Sequence, residues 1–158
     1  MPLSFQTLPF TELSVDQLYG LLRLRQEVFV VEQTCWYLDA DGRDQAALHL
    51  LGTDEAGRLA AYARLLPRGV SYPEYASIGR VLTAEFARGR GYGRPLMKAA
   101  LAALFAAWGE QAVKISAQAH LQAYYGSVGF VGVGEVYDED GIPHRAMLFN
   151  AIAASPNN

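Results

Sequence analysis

Apolar and polar positions change period several times along the chain, and each change marks an element. Leu3, Phe5 and Thr7 alternate with Ser4, Gln6 and Leu8, predicting a first strand that Pro9 ends. Ser14-x-x-Gln17 is a capping-box pattern, with Asp16 adding negative charge to the first turn. Leu18, Leu21, Leu22, Arg25, Val28 and Phe29 then recur at helical spacing and predict an amphipathic helix over 14–30. Arg25 falls on its apolar face, so the guanidinium either reaches out to water or meets a buried carboxylate. Strands follow at 47–52 and 58–66 around the hairpin loop Thr53-Asp54-Glu55-Ala56-Gly57. His49 and Arg64 lie inside them, and a lone strand histidine reads as a hydrogen-bonded structural residue.

Residues 78–108 organise the rest. The segment 78–83 is largely apolar or β-branched, a buried strand, and the Ala-, Leu- and Met-rich run ending at Gly109 is a long helix. Between them Gly89, Gly91 and Gly93 stand at alternate positions among Arg88, Arg90 and Arg94. Glycine admits positive φ and a close ligand approach, and a turn feeding a helix N-terminus offers unpaired N–H groups and the positive dipole end. Anions, diphosphates in particular, bind such turns. The spacing does not match a dinucleotide fingerprint, and no Lys-Ser or Lys-Thr of a Walker loop follows.

Further on, 113–118 alternates as a strand with Lys114, Ser116 and Gln118 on one face. A short helical segment covers 119–125, with Gly129 as its C-cap, and strands at 130–137 and 144–149 flank the turn Asp138-Glu139-Asp140-Gly141. The order β-α-loop-β-β-β-α-β-α-β-β predicts an α/β (α+β by some schemes) fold with a mixed central sheet of about six to seven strands.

Composition narrows the reading. With 158 residues, 51% hydrophobic and 18% charged, the chain reads as one globular domain over 1–152 and a polar tail at 153–158. A net charge of −3 without a basic run argues against nucleic acid or an anionic membrane as the main partner. No apolar run approaches the ~20 residues of a membrane span, and no signal-peptide core opens the chain. One cysteine, Cys35, precludes an internal disulfide, which suits a reducing cytoplasm. The loop 32–44 carries Asp39, Asp41 and Asp44 beside Trp36 and Tyr37; its early glycine and Arg43 exclude a calcium loop. These carboxylates either recognise an amine or form a solvated turn. The three histidines and Cys35 lack ligand spacing, so no metal is expected.

Arg88-x-x-Gly91-x-Gly93 at a strand–helix junction resembles the acetyl-CoA pyrophosphate loop of the GNAT N-acetyltransferases. Tyr125-Gly-Ser-Val-Gly129-Phe130 resembles that superfamily's Y-x-x-x-G-F segment, and the element order is similar to the GNAT fold, with splayed middle strands and helices on both faces. More narrowly, R-x-E-V-F-V-V-E-Q at 25–33, A-Q-A-H-L-Q at 117–122 and E-D-G-I-P-H at 139–144 resemble the ElaA-type branch. The resemblance implies an acetyl-CoA-dependent N-acetyltransferase in which an amine attacks the thioester directly. The main chain of Val81, Leu82 and Thr83 would pair with the pantetheine arm. The pyrophosphate would lie on the amides of Arg88, Gly89, Arg90, Gly91, Tyr92, Gly93 and Arg94, and Gln118, His120 and Gln122 would lie near the cofactor. Tyr125 would protonate the departing thiolate, and His120, Glu32 or His144 would serve as general base unless a water chain replaces them. The acceptor would be a small-molecule or protein amine, and a homodimer is compatible with the resemblance. The alternative is a non-catalytic acyl-CoA-binding or sensor module.

Overall fold

Strand β1 (Ser4–Pro9) pairs antiparallel with β2 (Leu48–Thr53), β2 with β3 (Leu59–Leu66), and β3 with β4 (Ser77–Thr83). A second antiparallel sheet places β7 (Ile142–Phe149) between β5 (Val113–Gln118) and β6 (Val131–Glu139). The two meet at one parallel bridge, Ala76 to Val113, where the Lys114 N–H donates to the Ala76 carbonyl at 3.0 Å. These features come from a computed structural model that describes residues 2–150; the tail expected at 153–158 lies outside them. The expected mixed sheet is therefore present, but its ladder is broken at the centre.

Helix α1 (Val15–Arg25) starts on the capping box: the Gln17 N–H donates to Ser14 Oγ at 3.0 Å and the Ser14 N–H to Gln17 Oε1 at 2.9 Å. The helix predicted over 14–30 does not run through in one register, because Gln26–Glu32 widens into a π-helical turn. Such turns cost hydrogen-bond geometry and tend to mark functional places. Helix α2 (Gly93–Trp108) and the short α3 (Gln122–Gly126) complete the set.

Strand alternation divides the interior in two. Leu50, Ala61, Ala63 and Leu65 face α2, packing with Leu96, Met97, Ala100 and Leu104. Leu51, Tyr62 and Leu82 face the other way, onto Leu21, Leu24 and Val28. Each fully buried large side chain contributes roughly 1.5–3 kcal/mol, so both faces hold the inner strands rigid. Hairpin β6–β7 turns on Asp140 and Gly141, at φ 53° and 81°, the pair of positive values of a two-residue type I′ turn.

Candidate active site

Past the bridge, β4 and β5 part and leave a cleft of about 750 Å³. Tyr62 pairs with Leu82 and Arg64 with Gly79, so Arg80 and Val81 together face Ala63. This is a β-bulge, and Arg80 sits at φ 51° within it. A bulge bends its strand and leaves one peptide without a ladder partner. Ile78, Leu96, Ile115 and Tyr125 fill the base of the cleft. Val81, Leu82 and Thr83 line one wall, and Ser116, Gln118 and His120 the other. Gln118 Nε2 donates to Gln33 Oε1 at 3.3 Å, linking that wall to the residue just after the π-helical turn.

The glycine turn opens at one end of the cleft. Gly89 and Gly91 adopt φ 77° and 76° with open space where a Cβ would stand. The amides of Gly89, Arg90, Gly91, Gly93 and Arg94 donate to no protein acceptor among the described residues. Gly93 meets a second demand, because an added Cβ would stand 3.0 Å from Tyr124, whose hydroxyl donates to the Gly93 carbonyl at 2.7 Å. Of the arginines, Arg88 donates to the Thr83 carbonyl at 3.1 Å and to Glu32 at 2.8 Å, while Arg94 Nε donates to Ser127 Oγ at 3.2 Å. Arg90 and Tyr92 border a separate hollow with Asp54 and Arg58. Gln122 is committed elsewhere: it donates to the Ala119 carbonyl at 3.0 Å and accepts from Arg145 at 3.0 Å.

Asp39, Asp41 and Asp44 form neither an amine receptor nor a solvated turn. Arg25 is fully buried and donates to Asp39 at 2.8 Å and Asp44 at 2.6 Å. Arg64 donates to Asp41 at 2.8 Å and Asp44 at 3.0 Å, and Arg80 to Asp39 at 2.8 Å. Burial pushes the Asp44 carboxyl up, but its bonds to Arg25 and then Arg64 outweigh it and hold the group below the usual range. The same balance, led by Arg64, lowers Asp41. His49 extends the network: its Nε2 donates to the Asp44 carbonyl at 2.9 Å, which leaves Nδ1 to accept from Tyr62 at 2.7 Å. The loop 32–44 is thus clamped to the strands, and Arg25 is the buried partner of carboxylates. Glu32 pairs with Arg88, not with Arg25.

Tyr125 is held by the end of α3. The Gly129 N–H donates to the Gly126 carbonyl and the Phe130 N–H to the Tyr125 carbonyl, both at 3.1 Å, with Gly129 at φ 108°. That is a Schellman closure with Gly129 at C′. Tyr125 is buried and lines the cleft, and its hydroxyl has no hydrogen-bond partner among the described residues. Burial, then Tyr124, pushes its phenol well above the ordinary tyrosine range, so it stays protonated. His120 and His144 both line the cleft; Glu32 does not. Sequence periodicity gave no hint of Gln33, Cys35, Tyr37, Arg80 or Glu139 as lining residues. Cys35 Sγ donates to the Asp140 carbonyl at 3.2 Å, joining the loop to the β6–β7 turn.

Comparison with known proteins identifies the family that builds this fold. The family model described as "Acetyltransferase (GNAT) domain" matches residues 16–150, so the chain belongs to the GNAT acetyltransferase family. Within it the chain falls in the ElaA-like branch. Protein ElaA of Escherichia coli is 47% identical over 156 residues, covering 96% of this chain and 99% of ElaA. The crystal structure of E. coli ElaA superposes with a TM-score of 0.86 at 45% identity, covering 94% and 99% of the two chains. An acyl-CoA N-acyltransferase from Pseudomonas aeruginosa also superposes with a TM-score of 0.86, at 47% identity, covering 93% and 99%.

Proposed function

We propose that this protein is an acetyl-CoA-dependent N-acetyltransferase acting on an amine by direct attack. The observation that carries the reading is Tyr125: a phenol kept protonated by burial, without a protein partner, opening into the gap between β4 and β5. A pure binding module has no use for a proton donor there. The residues present fit coenzyme A. The amides of Gly89, Arg90, Gly91, Gly93 and Arg94, which donate to no protein acceptor among the described residues, suit a diphosphate, and the edge of β4 at Val81–Thr83 suits an extended amide-bearing arm. The cosubstrate supplies the activated acetyl thioester. Strand amides stabilise charge developing on its carbonyl oxygen, and Tyr125 hands its proton to the departing sulfur.

Calorimetry with coenzyme A, run beside an assay of thiol release from acetyl-CoA over a panel of amines, tests the proposal. Binding together with turnover of at least one amine is expected. Binding without turnover on any amine would instead identify an acyl-CoA-binding module, and no binding would remove the basis of both.

A further inference from the structure

Glu139 ends β6 just before the Asp140–Gly141 turn and lines the cleft. Two groups on the other strands of the same sheet face its carboxylate. Ser116 Oγ on β5 donates to Oε1 at 3.3 Å, and His144 Nε2 on β7 lies 3.3 Å from Oε2. His144 is buried, and a carbonyl can only accept, so its Nδ1 proton is held by the Ile142 carbonyl at 2.7 Å. That bond turns Nε2 toward Glu139, to which Nε2 donates only as the imidazolium, since a neutral ring with its proton on Nδ1 carries a lone pair there. The Tyr137 hydroxyl bonds Ser116, and its ring stacks on His144 at 6.2 Å. Tyr72 faces the same place from the loop 67–76: burial first, then Tyr137 and Glu139, pushes its phenol up, with Arg43 opposing. Asp138 and Asp140 flank Glu139 in sequence and add no positive charge.

Among the described residues no lysine or arginine forms an ion pair with Glu139. The contrast with Asp39, Asp41 and Asp44, all neutralised by arginines, is direct. Glu139 is a carboxylate that lines the cleft, bordered by phenols and without a lysine or arginine partner among the described residues. Ammonium ions favour that combination of carboxylate and aromatic rings.

We propose that Glu139 receives the acceptor as an ammonium ion and removes its proton, with His144 and Ser116 as positioning residues. The inference rests on the acetyl-transfer reading above. One N–H bond breaks, its electron pair stays on nitrogen, and the proton passes to the Glu139 carboxylate. The lone pair attacks the thioester carbon, the C–S bond breaks, and the Tyr125 O–H proton goes to sulfur. The second nitrogen proton restores Tyr125 through solvent, and Glu139 releases its own to bulk. Ammonium plus acetyl thioester thus gives N-acetyl amide, thiol and one proton. An alkylammonium is a far weaker acid than a carboxylic acid, so the first transfer is uphill and is drawn forward by the attack that consumes the lone pair.

The test uses Glu139→Gln, which keeps size and removes charge. Thiol release at pH 7 is compared for an alkylamine that is nearly all ammonium and a weakly basic amine that is already neutral. For the alkylamine kcat/KM should fall about 10²–10⁴-fold, and for the neutral amine less than about tenfold. Coenzyme A affinity by calorimetry should be unchanged. His144→Gln, which keeps a polar side chain facing Glu139, should retain most of the activity that His144→Ala loses. An equal loss on both amines, or no loss, overturns the role of Glu139, and equal loss in the two His144 variants overturns that of His144. A wild-type protein that turns over neither amine defeats the acetyl-transfer reading itself.

Discussion

Tyr125→Phe removes a single oxygen and separates chemistry from packing. The hydroxyl makes no hydrogen bond to the described protein, so its loss lacks the roughly 1 kcal/mol cost of breaking one. The ring keeps its edge contacts with Tyr124 at 4.8 Å and Phe130 at 6.0 Å between centroids. A stability change below about 0.5 kcal/mol moves Tm by no more than about 2 °C in a domain of this size. Catalysis should suffer far more: a positioned proton donor contributes about 10²–10⁴-fold, or about 2.7–5.4 kcal/mol of barrier. The loss should fall on kcat, with coenzyme A affinity retained, because the proposed role of the phenol begins when the C–S bond breaks. Burial and Tyr124 hold the group above its ordinary pKa, so wild-type kcat should show no decline from its ionisation up to about pH 10. The measurement is thiol release at saturating amine across pH, with thermal melts and calorimetry on the same preparations. A variant within about threefold of wild-type kcat at every pH, far short of the loss expected on removing a general acid, would refute the assignment.

Asp44→Ala takes one of two carboxylate partners from each of the buried guanidiniums of Arg25 and Arg64, leaving the network one negative charge short, and should cost about 3–5 kcal/mol in urea unfolding; a loss under about 1 kcal/mol would show that water replaces the carboxylate. Stability should also depend on pH in two stages. Burial lowers the folded-state pKa of His49, so only the unfolded chain takes up that proton below about pH 6.5, and Tm should start to fall there. Asp41 and Asp44 titrate below the usual range when folded, so their contribution is present above about pH 4 and drains away below it. A Tm that rises between pH 7 and 5 contradicts this. Gly129→Ala places a Cβ 2.7 Å from the Phe149 ring at φ 108° and should destabilise by about 2–4 kcal/mol. Gly20→Ala, in α1 with open space around it, should instead stabilise by about 1 kcal/mol, and melts of the two variants decide both.

Much of the fold and the glycine-turn end of the cleft was legible because the forces there are local. The capping box at Ser14 and Gln17, the positive-φ glycines at 89, 91, 129 and 141, and the apolar period of α2 each act over a few residues. Composition along a short window therefore carries them. The acidic loop misled because it had no visible partner: Arg25 lies 14 positions from Asp39, and Arg80 lies 41. The π-helical turn escaped because helical spacing continues through Arg25, Val28 and Phe29.

The chain alone thus settled which strands and helices form, where the amide-lined turn falls, and that Tyr125 sits at a closed helix end. Tertiary structure decided where β4 and β5 separate, which aspartates are neutralised, and that Ser116, Glu139 and His144 converge from three strands. The physical reason is range. Backbone dihedrals and amphipathic period are set by neighbours in sequence, whereas the charge state and availability of a carboxylate depend on what folding brings within a few ångströms of it.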